Sequence, residues 1–340
     1  MKKAVILFNL GGPDKLESVE PFLFNLFNDP AIISIPSIIR YPLAKFISKR
    51  RAPIAKNIYK EIGNKSPILQ LTQDQAKSLE NNLSEKGDYK CFVVMRCWHP
   101  RASEIIKKVK QYDPEEVILL PLYPQYSAST SGSSIKEWND LCKKENYNVK
   151  TKTICCYPTE NNFILSHVSL IRKTLLKLED KNFKLIFSAH GLPESKIKNG
   201  DPYQWHIEET VKKIMLNLKE ENLDYIISYQ SRVGPMKWIG PSTDSEIIKY
   251  SKEKKGIVIV PVAFVSEHSE TLVELDIEYR KLAEKNGCKY YKRVPALGND
   301  EYFIKGLTAL VEEPQTKGNF VSSIMCPNKF IKCPCLEARS

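Results

Sequence analysis

The chain has 340 residues, 42% hydrophobic and 27% charged, with a formal net charge of +11 and a pI near 9.0. Such a balance is that of a folded globular protein, and the length suits roughly two domains, each with its own core. A basic surface attracts anions, which leaves nucleic acid, anionic lipid and small acidic substrates open.

The N-terminus "MKKAVILFNLGGP" (1–13) pairs two lysines with an apolar run, then reaches Gly-Gly-Pro without a small-residue cleavage site. It reads as a first strand rather than a signal peptide. The apolar run "AIISIPSIIRYPLAKFIS" (31–48) is interrupted by Pro36, Arg40 and Pro42, so an unbroken membrane-spanning helix is not expected there. Overlapping it, "RYPLAKFISKRRAP" (40–53) sets Arg40, Lys45, Lys49, Arg50 and Arg51 among Tyr41, Leu43, Phe46 and Ile47. It reads either as a solvated basic helix or as a surface for something both greasy and anionic. No stacking-aromatic motif supports nucleic acid as a partner. An intracellular location makes the nine cysteines unlikely to form a disulfide framework.

Four apolar runs each end in a polar loop: "AVILFNLGGP" (4–13), "VILLPLYPQYSASTSGSS" (117–134), "KLIFSAHGLP" (184–193) and "GIVIVPVAFVSEHSETL" (256–272). Their Val/Ile/Leu content and the helical patterns between them predict buried parallel strands. The runs also pair off. Gly11 and Pro13 match Gly191 and Pro193 at one spacing, and Pro121 matches Pro261 at a shorter one. The fold class is therefore α/β, with two similar Rossmann-like, doubly wound parallel-sheet domains facing an interdomain cleft. The expected division is 1–150, 151–315 and a cysteine-rich tail 316–340. The difference between the two spacings means extra residues in the first copy, and these fall around 20–60.

Three groups of residues could carry chemistry. At an α-helical period of about 100° per residue, Glu267, Glu270, Glu274 and Glu278 span about 80° between two apolar edges. A solvated face would put them opposite the apolar stripe, so they are expected to line a recess. Acids that merely complement the helix dipole are the plainer reading. His268 falls off this stripe unless a π-bulge shifts the phase. His190 follows a strand directly, and with two carboxylates it could bind a dication such as ferrous iron or accept protons near neutrality. The tail "CPNKFIKCPC" spaces Cys326, Cys333 and Cys335 as C-x6-C-x-C. One more thiolate, with Cys155 and Cys156 the conspicuous donors, would complete an iron–sulfur or zinc site.

The blocks "NLGGP", "KRRAP", "GNKSP", "LYPQYSASTSGSS", "FSAHGLP", "YQSRVGPMKWIGPSTD" and "FVSEHSETLVELDIEY" follow in order from about residue 4 to 311. This series resembles the ferrochelatases, enzymes that insert ferrous iron into protoporphyrin IX in the last step of haem biosynthesis. The resemblance implies an active site between two Rossmann-like domains, with His190 and Glu270 as its central pair for metal or pyrrole protons. It makes Glu267, His268 and Glu274 an acidic metal path. Arg51, Tyr59, Ser66, Arg96, Tyr123 and Trp238 would contact porphyrin, and 31–48 would form a hydrophobic lip.

The resemblance also implies a 2Fe-2S cluster on Cys326, Cys333 and Cys335 with a fourth thiolate from Cys155 or Cys156. Ala128 stands where animal members carry their internal cysteine ligand, which leaves the fourth ligand open. Ferrous iron would be substrate, protoporphyrin IX the partner, and the location cytoplasmic, with peripheral contact at the anionic inner face of the membrane. A coproporphyrin or cobalt chelatase on the same fold is the nearest alternative. A haem-binding iron–sulfur sensor without chelatase activity is another. A dinucleotide oxidoreductase lacks its support, because "FNLGGPDKLES" is not G-x-G-x-x-G.

Overall fold

A computed structural model describes residues 1–220, 223–231, 236–313 and 319–337; part of the block "YQSRVGPMKWIGPSTD", residues 232–235, lies outside the described residues. The chain forms two compact units, residues 1–156 with 307–322, and residues 157–306 with 323–340.

In the first unit β1 (Lys2–Asn9) leads through α1 (Val19–Phe27), α2 (Ser37–Lys60) and α3 (Ile68–Ser84) to β2 (Asp88–Met95). Then come α4 (Ala102–Tyr112), β3 (Glu116–Pro121), α5 (Ser131–Lys144) and β4 (Lys150–Cys156). The second unit runs α6 (Asn161–Leu175), β5 (Phe183–His190), α7 (Glu194–Lys198), α8 (Tyr203–Leu218), β6 (Tyr225–Gln230), α9 (Thr243–Lys252) and β7 (Gly256–Pro261). A π-helix (Glu270–Glu278), α10 (Tyr279–Lys285) and β8 (Tyr291–Arg293) follow, and α11 (Glu301–Glu312) passes from the second unit to the first at Leu307. The chain then adds β9 (Phe320–Ser322) to the first unit and ends, as described, with α12 (Pro334–Glu337) in the second.

Both sheets are parallel. Their orders, β2-β1-β3-β4-β9 and β6-β5-β7-β8, repeat one pattern, with β9 added at the edge of the first. The central strands are buried almost end to end because helices cover both faces, which is why they read as continuous apolar runs rather than alternating ones. The spacings found in the sequence are strand registers. Phe8 pairs with Pro121 in the first sheet, and their counterparts at those spacings, Ser188 and Pro261, pair in the second. The extra length of the first copy falls between β1 and β2, where α1 and α2 lie.

The prolines of α2 do not break it. Pro36 is its N-cap, and the helix runs through Pro42 and Pro53 to Lys60. Each internal proline removes one backbone hydrogen bond. Ile38 and Lys49, whose carbonyls lose that donor, are exposed, so water can replace it. α2 is long enough to span a membrane but too charged, and no described helix is both long and apolar enough to cross one.

The Gly-Gly-Pro turn after β1 serves packing. A Cβ on Gly12 would lie 2.5 Å from the Cβ and Oγ of Ser66, whose own N–H donates to the Pro13 carbonyl at 2.8 Å. Gly12→Ala should therefore push the Ser66 loop off the turn and cost about 1–3 kcal/mol in chemical denaturation. A variant as stable as the parent would show that this approach is not tight.

Candidate active site

The second unit gathers its titratable groups at the carboxyl ends of β5, β6 and β7, where α/β sheets bind ligands. His190 ends β5 and keeps 39% of its side chain exposed. Its Nδ1 lies 3.3 Å from Oε2 of Glu270, the first residue of the π-helix. The same oxygen lies 3.6 Å from His268 Nε2. His268 Nδ1 is 3.1 Å from the Ser266 carbonyl and donates to it, so its other nitrogen faces the carboxylate. That contact is attractive when the ring carries a second proton, or when a cation lies between the two groups.

Glu270 thus sits between two imidazoles. Burial alone would raise its pKa, but His190 and then His268 outweigh this and hold its carboxyl well below the usual range. Burial alone would depress His190, yet Glu270, helped by Glu274, raises it above the ordinary 6.5. Glu274 moves the opposite way from Glu270. Burial, then the neighbouring charge of Glu270, raise it even though it accepts four hydrogen bonds. These come from Gln230 Nε2 (3.0 Å), Ser231 N (3.1 Å), Ser231 Oγ (2.5 Å) and Tyr279 Oη (3.1 Å). Ser231 presents two donors together from a left-handed backbone conformation, φ +60°.

The four glutamates do not form one file. A π-helix bonds i→i+5 and turns with more than four residues, so the α-helical phase does not apply from Glu270 onward. Glu270 and Glu274 interact with His190, whereas Glu278 is exposed. Glu267 precedes the helix, and its Oε1 accepts from Arg293 Nη1 (2.8 Å) and the Ala296 amide (3.0 Å). It is committed to a buried arginine that also contacts Asp276. His268 joins the pair from the loop before the π-helix. Half-buried Trp238 belongs to the segment pairing with Pro193, three residues beyond His190.

Sequence patterns gave no signal for Tyr203, which touches the His190 backbone and lies within electrostatic reach of Glu270. Nor did they reveal Arg293, and Tyr279 closed a recognised block without an assigned role. Gln230 and Ser231 lay in a recognised block without an assigned role.

In the first unit, Arg51 is exposed and its guanidinium stands 5.8 Å from the Phe27 ring centroid. Tyr59 is buried on the same helix, and Ser66 packs on Gly12. Arg96 is spent within the unit: Nε donates to Ser133 Oγ (2.8 Å), Nη1 to Glu137 (3.0 Å), and Nη2 pairs with buried Asp29 (2.9 Å). Tyr123 lies beside this network; burial, then the Cys97 thiol, push its phenol above the ordinary value. Exposed Ile38, Ile39, Leu43, Phe46 and Ile54 project from α2.

The tail is folded onto the second unit. Phe330 stacks on Trp205 with centroids 5.3 Å apart, and the Lys332 amide donates to the Gly200 carbonyl at 3.1 Å. Gly200 has φ +88°, and a Cβ there would meet the Ile331 backbone nitrogen at 2.9 Å. Cys326, Cys333 and Cys335 are buried thiols, Cys333 and Cys335 with sulfurs within 4.8 Å. Cys326 Sγ lies 3.3 Å from His206 Nε2. Cys155 and Cys156 end β4, where successive side chains point to opposite faces, and Cys156 Sγ is 3.1 Å from Ser322 Oγ.

The ferrochelatase family profile matches residues 2–315. The chain is 65% identical to the ferrochelatase of Pelagibacter ubique (strain HTCC1062), over 99% of each chain. It is 51% identical to that of Rickettsia felis (strain ATCC VR-1525 / URRWXCal2), over 98% of this chain and 99% of the relative. Among solved structures, SirB from Bacillus subtilis with Fe3+ superposes with a TM-score of 0.53 over 92% of this chain and 95% of its own, at 11% identity. That likeness is one of fold.

Because Glu270 holds the second proton on His190, the His190 titration midpoint should lie above 6.5 by NMR and fall in Glu270→Gln. The raised pKa stabilises the fold fully below 6.5, an advantage lost as pH rises through the folded value. An unchanged midpoint would separate the two groups.

Proposed function

The chain belongs to the ferrochelatase family, and we propose that it inserts ferrous iron into protoporphyrin IX through the His190–Glu270 pair, forming protohaem. The observation that carries this reading is the 3.3 Å contact between His190 Nδ1 and Glu270 Oε2 at the mouth of a strand end. Metalation removes two pyrrole protons and admits a dication. With Nδ1 turned to Glu270, Nε2 of His190 is the nitrogen left for a pyrrole proton. The imidazolium formed is stabilised by Glu270, which stays ionised. Glu274, with its raised pKa, takes protons onward. Glu270, His268 and Glu274 offer oxygen and imidazole donors suited to ferrous iron on its way in. Glu267 supports this group from its pairing with Arg293.

Porphyrin is flat and apolar with two carboxylates at one edge. Arg51 suits a propionate, while Tyr59, Ser66, Tyr123 and Trp238 suit the macrocycle and its rim. Arg96 contributes by holding Asp29, Ser133 and Glu137 behind Tyr123. The exposed apolar and basic residues of α2 favour peripheral contact with the anionic inner face of a membrane, from the cytoplasmic side.

The donor chemistry of the tail fits a 2Fe-2S cluster, since Cys326, Cys333 and Cys335 are all buried and the sulfurs of Cys333 and Cys335 lie within 4.8 Å. Cys326, Cys333 and Cys335 would hold it, with Cys155 as fourth thiolate because Cys156 faces Ser322. Such a cluster supplies one-electron chemistry and crosslinks the segments that ligate it. Anaerobically purified protein should show the visible absorption of a 2Fe-2S centre. Cys333→Ser and Cys155→Ser should lose it and Cys156→Ser keep it; loss in Cys156→Ser alone would reassign the fourth ligand.

Activity is tested anaerobically by loss of protoporphyrin fluorescence on adding Fe²⁺. Glu270→Gln and His190→Ala should each slow metalation about 10²–10⁴-fold, the usual range for a lost proton acceptor. Full turnover in Glu270→Gln would refute the assignment. Faster metalation of coproporphyrin would move the substrate to that porphyrin.

A further inference from the structure

The first unit carries a recess lined by none of the residues assigned above to metal or porphyrin contact, although it shares Tyr41, Lys45 and Ser48 with the 31–48 stretch. A groove of about 430 Å³ lies between α1 and α2, lined by Glu17, Glu20, Phe24, Tyr41, Lys45 and Lys56 among others. That volume suits a small molecule. Its charges are divided by element. Glu17, from the 3₁₀ turn Leu16–Ser18, and Glu20, from α1, make one side acidic. Lys45 and Lys56, both from α2, make the other basic. Among the described residues none of these four forms an ion pair, although two carboxylates and two ammonium groups border one space. Phe24 and Tyr41 stand edge to face at the groove, centroids 5.2 Å apart.

Opposite charges that form no ion pair, around a groove that an aromatic pair also lines, suit a ligand carrying both signs. A primary ammonium supplies N–H donors for the carboxylates and can lie against an aromatic ring. A phosphodiester supplies oxygens for the lysines and the Tyr41 hydroxyl. The groove also shares α2 with Ile38, Ile39, Phe46 and Ile54, which are 56–82% exposed, so a ligand with a hydrocarbon tail would find apolar surface on the same helix.

We propose that this groove is a headgroup site for a zwitterionic, primary-amine phospholipid of the phosphoethanolamine type. The inference shares with the preceding reading only that α2 meets a membrane. It goes beyond general attraction to anionic lipid by requiring both signs of charge.

The test uses the full chain and vesicles of phosphatidylcholine, with or without phosphatidylethanolamine, at a constant fraction of phosphatidylglycerol. Phosphatidylethanolamine should raise the bound fraction at least fivefold in co-sedimentation. Glu20→Gln and Lys56→Gln should each abolish that increment while retaining the parent melting temperature and binding to anionic vesicles. Soluble glycerophosphoethanolamine should bind the parent at least tenfold more tightly than glycerophosphocholine. Equal sedimentation with and without phosphatidylethanolamine would overturn the proposal, as would an increment that survives both substitutions. If the soluble compound binds while vesicles show no increment, the lipid assignment fails. Loss of all vesicle binding in the parent would instead remove the shared membrane premise.

Discussion

One carboxylate oxygen organises the chemistry of the second unit. Glu270 Oε2 stands 3.3 Å from one imidazole and 3.6 Å from another, and each neighbour alters what the others can do. The imidazoles keep Glu270 ionised despite its burial, and ionised Glu270 keeps His190 ready to hold a second proton. Burial, then the same negative charge, raises Glu274 against the lowering effect of its hydrogen bonds from Ser231 and Gln230. Two glutamates on one π-helix therefore have opposite protonation tendencies. Such a split is what a site needs if one acid is to remain charged while the next releases and takes up protons.

That arrangement depends on backbone geometry made before any side chain is placed. β5 delivers His190, β6 delivers Gln230 and Ser231, and the stretch after β7 delivers His268 and Glu270, all at one edge of one sheet. The π-helix then determines which later acids join them. Its wider turn leaves Glu274 under Gln230, Ser231 and Tyr279 and leaves Glu278 exposed. A regular α-helix would have placed the acids in a different phase.

The first unit repeats this frame without its chemistry. By the spacings that relate Gly11 to Gly191 and Pro121 to Pro261, Leu10, Ala128, Thr130 and Ser134 occupy the places of His190, His268, Glu270 and Glu274. Its helix at the corresponding position, α5, is an ordinary α-helix. What distinguishes this unit is the insertion between β1 and β2, with exposed apolar and basic residues on α2, and the internal network around Arg96. The duplicated sheet is a shared support, and the two copies differ where their loops and helices leave it.

The sequence alone determined the parallel sheets and their internal repeat, and it singled out His190 and Glu270 as candidates. Buried parallel strands must be apolar throughout, and a polar group at the end of such a strand has few structural reasons to be there. Tertiary structure alone decided the rest. The phase of the acidic segment depended on a π-helix that local periodicity does not encode. The pairing of Glu267 with Arg293 joined residues from separate elements, one before the π-helix and one at the end of β8. The tail docked through the Phe330–Trp205 stack and the space beside Gly200, contacts between segments far apart in the chain. Periodicity records which face of an element is buried, but which side chain meets it from another element is settled only when the chain has folded.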